Sequence, residues 1–226
     1  PATMAKAAQC RDSLGFGFPT VTARIALTDT SSAVYPYSET GAFYSPAPGH
    51  RMEQRTATAW VAAKTDRIRL VLAVLVVPYL PAVTTSKMLT TIDGLSEGRL
   101  TVGIGAGWLK PELEALSHTP FAERGAVTDE YIDAFRAIWT QERPVFHGKY
   151  TNIEGLLVDP KPVQKPHPPI WVGGETGPVR PPEEGPARRP FAVRERVSGS
   201  SLKLLSSRSN ASGDHDAPSS SENRTE

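Results

Sequence analysis

Cysteine is almost missing from this chain of 226 residues. Cys10 stands alone, so no intramolecular disulfide can form, and a reducing compartment is expected. Long hydrophobic runs are missing as well. The longest, Leu70 to Val77, has the length of a buried strand and falls far short of a membrane span. Neither sign of charge dominates: 25 Lys and Arg face 24 Asp and Glu, for a net charge of +1. That balance gives no electrostatic attraction to nucleic acid or to an anionic membrane, so neither is an expected partner. No charged start leads into an apolar leader segment, which makes the cytoplasm the expected location. The five histidines, at 50, 118, 147, 167 and 215, are scattered through expected loops. No His, Cys, Asp or Glu cluster has metal-ligand spacing, so no metal is expected.

What the chain does have is a stretch, TTIDGLSEGRLTVGIGAGWL from Thr90 to Leu109, that reads as a helix end, a tight turn at Glu97-Gly98 and a buried strand. Gly103, Gly105 and Gly107 remove side chains as the strand ends, with Trp108 just beyond. Two readings are open. Glycines there let a ligand approach the backbone, making a pocket floor, or they let the strand pack against bulky neighbouring strands. A Rossmann nucleotide site is not indicated, because Lys110 stands where the third glycine of G-x-G-x-x-G belongs.

The rest of the chain alternates helix and strand. Helices are expected over Pro1–Phe16, Gln54–Lys64, Pro81–Leu95, Pro111–Leu116 and Thr128–Thr140. In the third of these, Val83, Met88, Leu89 and Ile92 form the expected inner face. In the last, Tyr131, Ile132, Phe135, Ile138 and Trp139 point inward. Strands are expected at Phe18–Leu27, Arg67–Val77, Arg99–Ile104 and Ile170–Val172. IRLVLAVLVVP shows no polar alternation, so both of its faces should be buried, as in a parallel sheet. A small hairpin from Phe146 to Val158 stands outside this alternation, and Lys161–Pro169 is held extended by its prolines. The pattern argues for a parallel α/β fold, either barrel or doubly wound sheet.

After Thr176 the composition turns to Pro, Ser, Arg and Gly with few apolar residues. Such a segment buries too little surface to offset its ordering entropy, so residues 177–226 are expected to be a disordered tail behind a domain of residues 1–176.

The runs TDRIRL, LTTIDGLSEGRLTVGIGAGWL, FAERGAVTDEYIDAFRAIWT, FHGKYTN and DPKPVQKPHPPIWVGG, together with YPYSETGAF from Tyr35, resemble the luciferase-like monooxygenase family, and within it the class using the deazaflavin coenzyme F420. The resemblance covers roughly Leu14 to Gly174. It implies part of a (β/α)8 TIM barrel, about strands 2 to 5, with the first strand and the last three strands of the family pattern lying outside it. It also implies an oxidoreductase that uses coenzyme F420, or alternatively FMN, on a small-molecule substrate. Exposed strand edges make a homodimer an expected assembly. The ring of the cofactor is implied to lie against Ala73 and Val74, where relatives often have a non-proline cis peptide, and against Gly105, Ala106, Gly107 and Trp108.

Two departures from the family pattern shape the expected chemistry. Relatives carry an Asp-His pair at the end of the second strand. Aligning on YPYS places Ala23-Arg24 there, and Asp29-Thr30 is a poorer second choice. Arg24 is permanently protonated and cannot act as a base, but it is a candidate to hold an anionic ring by charge, against the alternative of an ordinary surface arginine. Some relatives place a glutamate directly after the glycine strand, where this chain has Trp108. Glu112, one turn further, is a candidate proton donor, against the alternative of a solvated carboxylate at a helix start. Because the phosphate-binding part of the family pattern is not in the sequence, a catalytically inactive or partner-binding remnant is the alternative function. A tail produced by a shifted reading frame is also consistent with the composition.

Overall fold

A computed structural model describes residues 2–14, 20–21, 24–26 and 52–173, and the backbone of strands at 193–196 and 202–204. Helix α1 (Ala2–Leu14) leads to a two-residue strand β1 (Thr20–Val21). Helix α2 (Gln54–Ala62) begins where the Glu53 carboxylate accepts from the backbone N–H groups of Arg55 (3.0 Å) and Thr56 (2.8 Å). Strand β2 (Leu70–Val76) runs through a 3₁₀ turn (Val77–Tyr79) into helix α3 (Ala82–Leu95). Strand β3 (Leu100–Gly105) follows the turn at Glu97 (φ 51°) and Gly98 (φ 79°), the tight turn expected there. Helices α4 (Lys110–Leu116) and α5 (Arg124–Thr140) come next. A separate antiparallel pair, β4 (Phe146–His147) and β5 (Asn152–Ile153), precedes strand β6 (Ile170–Gly173).

The main sheet is ordered β1-β2-β3-β6 with every pairing parallel, each crossover carrying helices. Strands β7 (Val193–Arg196) and β8 (Leu202–Leu204) extend it antiparallel beyond β6. These seven residues fall within the stretch expected to be disordered; the rest of that tail lies outside the described residues. The described strands thus form an α/β sheet with a parallel core and two end strands, β1 and β8.

The core lies between this sheet and helices α3 and α5. Leu72, Leu89, Leu100, Ile104, Phe135 and Trp139 belong to one buried cluster. Phe135 and Trp139 sit with ring centroids 5.5 Å apart, as the i, i+4 spacing on one helix face allows. Three local expectations differ from the structure. Met88 points outward with 40% exposure. The inner face of α3 instead includes the small buried residues Thr85, Ser86 and Thr90, and the Ser86 carbonyl accepts from Trp139 Nε1 of α5 (3.5 Å). Helix α5 starts at Arg124 rather than Thr128, because the 3₁₀ turn Phe121–Glu123 runs directly into it and Arg124 Nη1 donates to Phe121 O (2.8 Å). Of the strand expected at Phe18–Leu27, Thr20–Val21 are strand and residues 24–26 are not, while residues 18–19, 22–23 and 27 lie outside the described residues.

At the opposite end from the strand exits, the Arg99 guanidinium ties α2 to the sheet. It donates to the backbone carbonyls of Ala62 (2.9 Å), Thr65 (2.8 Å), Ile68 (3.0 Å) and Ser96 (2.7 Å) and to Thr65 Oγ1 (3.0 Å). Asp12 does the same for α1, accepting from the backbone N–H groups of Asp66, Arg67 and Ile68. The first of these bonds, opposed by desolvation and supported by the other two, holds its carboxyl below the ordinary value of 3.8.

Candidate active site

Strand β2 is buried along its length except at Ala73 and Val74, which are half-buried. The peptide bond between them is cis, as the family resemblance implies, and the register with β3 shifts between Leu72 and Leu75. Beside them lie the half-buried residues 106–108 after β3 and 171–173 on β6. Half-buried residues thus cluster in the carboxyl-terminal part of the parallel sheet, Trp108 and Trp171 among them.

The glycines of β3 face the neighbouring strand. A Cβ on Gly103 would lie 2.2 Å from the Leu72 carbonyl oxygen, and one on Gly105 2.9 Å from Val74 Cγ2. Gly107 has φ +83°, and a Cβ there would meet Val76 Cγ1 at 2.8 Å. Of the two readings left open, close packing of β3 on β2 accounts for Gly103 and Gly105, and the positive φ of Gly107, just beyond the strand, accounts for the third. The ring-facing role implied for Gly105 and Gly107 is thus not needed to explain why they are glycine.

Arg24 and Glu112, 88 positions apart, meet here. Arg24 Nη1 donates to Glu112 Oε2 at 2.6 Å, with the side chains 11% and 0% exposed. The solvated helix-start alternative for Glu112 and the surface alternative for Arg24 are both corrected by this burial. The second donor on Oε2 is the Tyr79 hydroxyl (2.7 Å), and Oε1 accepts from the backbone N–H groups of Ile25 (3.0 Å) and Ala26 (3.2 Å). Each carboxylate oxygen thus has two donors, which fills its ordinary accepting capacity. Burial, and then the hydrogen bond to Glu112, pushes the Tyr79 phenol well above its ordinary value of 10.0. On its other side the Arg24 guanidinium carbon lies 4.9 Å from the centre of the Trp108 ring, within cation–π range.

The exits of three adjacent strands are joined by these contacts: residues 24–26 after β1, Tyr79 after β2, and Trp108 and Glu112 after β3. Reading the sequence alone did not single out Tyr79. The available signal was a polar-tipped aromatic directly after a fully apolar strand, a place where a buried hydroxyl needs a partner. A small depression beside it is lined by Arg24, Tyr79, Glu53 and Arg55. Arg55 Nε donates to Glu53 Oε1 at 2.7 Å. Burial opposes ionisation of Glu53, but bonds from Thr56 and Arg55 hold its carboxyl below 4.5. Asp29-Thr30 lies outside the described residues. Among the described residues no group of three or more His, Cys, Asp or Glu is placed to hold a metal, and no helix is long and apolar enough to cross a membrane.

Comparison with known proteins bears on this geometry. Residues 31–179 match the family described as luciferase-like monooxygenase. An FMNH(2)-dependent dimethylsulfone monooxygenase of Pseudomonas putida is 35% identical over 130 residues, covering 57% of this chain and 36% of the relative. A pyrimidine monooxygenase of Cronobacter sakazakii is 34% identical over 119 residues, or 51% of this chain and 35% of its own length. Among solved structures, a monooxygenase from Streptomyces bottropensis superposes with a TM-score of 0.59 at 28% identity, covering 75% of this chain and 46% of that one. The chain spans less than half the length of each of these proteins.

Proposed function

The chain belongs to the luciferase-like monooxygenase family, and on that premise we propose that it carries the ring-binding part of a flavin-dependent oxidoreductase acting on a small organic substrate. The described sheet is read accordingly as a segment of a (β/α)8 barrel, about its second to fifth strands. The observation that carries the proposal is the break in burial at Ala73 and Val74, next to residues 106–108. The family resemblance places the cofactor ring at these positions, and all are partly exposed, with Ala73, Ala106 and Gly107 small enough to suit a planar ring lying close to backbone and Trp108 an indole beside it.

Reduced FMN is the favoured cofactor and coenzyme F420 the alternative, because the dimethylsulfone monooxygenase similar to this chain is FMNH(2)-dependent. When bound, reduced flavin supplies electrons and activates oxygen, whereas deazaflavin supplies hydride. Around that ring, residues Ala73, Val74, Gly105, Ala106 and Gly107 present backbone, and Trp108 presents an indole. Arg24 orients that indole rather than offering a free charge, since Glu112 neutralises it at 2.6 Å. Glu112 accepts from four donors and holds Arg24 in place, which favours a positioning role over the proton-donor role. Association of two copies belongs to the same reading, because β1 ends the described sheet and strand edges favour pairing.

Purified protein titrated anaerobically with reduced FMN and, separately, with a reduced deazaflavin tests the proposal. A saturable change in cofactor absorbance with FMN is expected. No change with either cofactor would reject it, leaving the chain as a part of such an enzyme that binds no cofactor by itself.

A further inference from the structure

The contacts of Glu112 extend beyond what the family reading assigns to this position. We propose that Glu112 is a positioning residue for the ring site and acts through Arg24 on Trp108; this rests on the reading of residues 73–74 and 105–108 as that site.

The argument begins with distribution. Two of the four donors to Glu112 are backbone N–H groups of residues 25 and 26, so the carboxylate fixes the path of the chain as it leaves β1. A third donor, Tyr79, comes from the turn directly after β2. The fourth is Arg24, whose guanidinium is held on one side by the carboxylate and lies over the Trp108 ring on the other. Glu112 and Trp108 belong to one segment, four residues apart across the start of α4. The carboxylate and the indole therefore form two walls, with Arg24 between them. An arginine carries several rotatable bonds, and a bidentate or stacked setting limits that freedom. Removing the carboxylate takes away the charge that pairs with the guanidinium at 2.6 Å, and the contact of Arg24 with the Trp108 ring at 4.9 Å loses that support.

Chemistry also separates this role from simple filling of space. Glu112→Gln preserves shape and keeps one oxygen to accept from Ile25 and Ala26, but it removes the charge that pairs with Arg24. Glu112→Asp keeps the charge and shortens its reach.

The test is a double-mutant cycle on the full chain, using E112Q, R24M and the double variant, with FMN as the probe and tryptophan emission as the readout. E112Q and R24M should each weaken FMN binding about tenfold, and the double variant no more than either, as expected of residues in one network. Losses that add in full would overturn the proposal, because Glu112 would then act independently of Arg24. A second readout needs no cofactor. E112Q should shift the emission of the free protein as R24M does, the shift should vanish in a W108F background, and E112D should restore most of it. An unchanged emission, or a shift that persists without Trp108, would overturn the proposal. If E112Q does not fold, R24M and R24K in the parent and W108F backgrounds carry the test through the emission of the free protein: R24M should shift it only where Trp108 is present, and R24K, which keeps the charge opposite Glu112, should shift it less. Failure of the parent chain to bind FMN rejects the proposed function, while the free-protein emission still decides the role of Glu112.

Discussion

Arg24 and Glu112 form an ion pair at 2.6 Å in which the carboxylate is fully buried and the guanidinium nearly so. Charges taken out of water in this way tolerate the loss of a partner poorly, because the survivor is left desolvated and unpaired. The pair joins the segment after β1 to helix α4.

Replacing Glu112 by alanine should therefore cost about 3–5 kcal/mol of stability, the scale for a buried charge stripped of its partner. Tyr79→Phe removes one donor to the same oxygen and should cost about 1–2 kcal/mol. Urea unfolding of the two variants beside the parent checks both values and their order.

Gly103 within β3 predicts a contrast with Gly125. Gly103→Ala forces a Cβ to 2.2 Å from the Leu72 carbonyl oxygen, which is backbone and cannot swing away. A loss of about 3 kcal/mol or more is expected, at the upper end for an overpacked core. Gly125 lies within α5, and a Cβ there meets nothing within 4 Å. Gly125→Ala should raise stability by up to about 1 kcal/mol through helix propensity. Thermal melts of the two variants should move in opposite directions.

How far the sequence carried this picture depends on whether the determining contact was local. The order of helices and strands, the turn at Glu97-Gly98 and the separate hairpin could be read because periodicity and turn chemistry are local properties. The unalternating run at 70–77 marked a strand buried on both faces, and only Ala73 and Val74 depart from that. Arg24 and Glu112 were each singled out, but by separate arguments. Their contact spans 88 positions and depends on how the β1 exit packs against α4, which no local pattern encodes. The glycines show the same limit. Alternate glycines look alike whether a ligand or a neighbouring strand approaches them, and only the register of β2 against β3 separates the cases.

Asp12 predicts a pH effect whose sign follows from its depressed carboxyl pKa. A carboxylate held below its unfolded value adds stability that is fully present above about 3.8 and is lost as pH falls through the lower folded value. Docking of α1 on residues 66–68 should accordingly persist down to about pH 3.8 and loosen only below it. The stability difference between the parent and Asp12→Asn should shrink as pH drops through that range. Hydrogen exchange at the amides of Asp66, Arg67 and Ile68 reports the docking directly.

Arg99 predicts the cost of removing a cation that is satisfied by carbonyls. Arg99→Met removes a donor from the carbonyls of Ala62, Thr65, Ile68 and Ser96, which lie at or just after the end of α2, before β2 and at the end of α3. A loss of about 2–4 kcal/mol is expected from several under-satisfied, partly buried acceptors. Arg99→Lys should recover only part of it, because an ammonium cannot span the same fork. Chemical denaturation of both variants measures the difference.

Titration of the full chain with reduced FMN, followed by tryptophan emission in the parent and in W108F, tests the central claim most directly. The account predicts saturable quenching in the parent, with a clear part of its amplitude lost in W108F because Trp108 stands at the ring site. Quenching of equal amplitude and affinity in both proteins, or none in either, would contradict it.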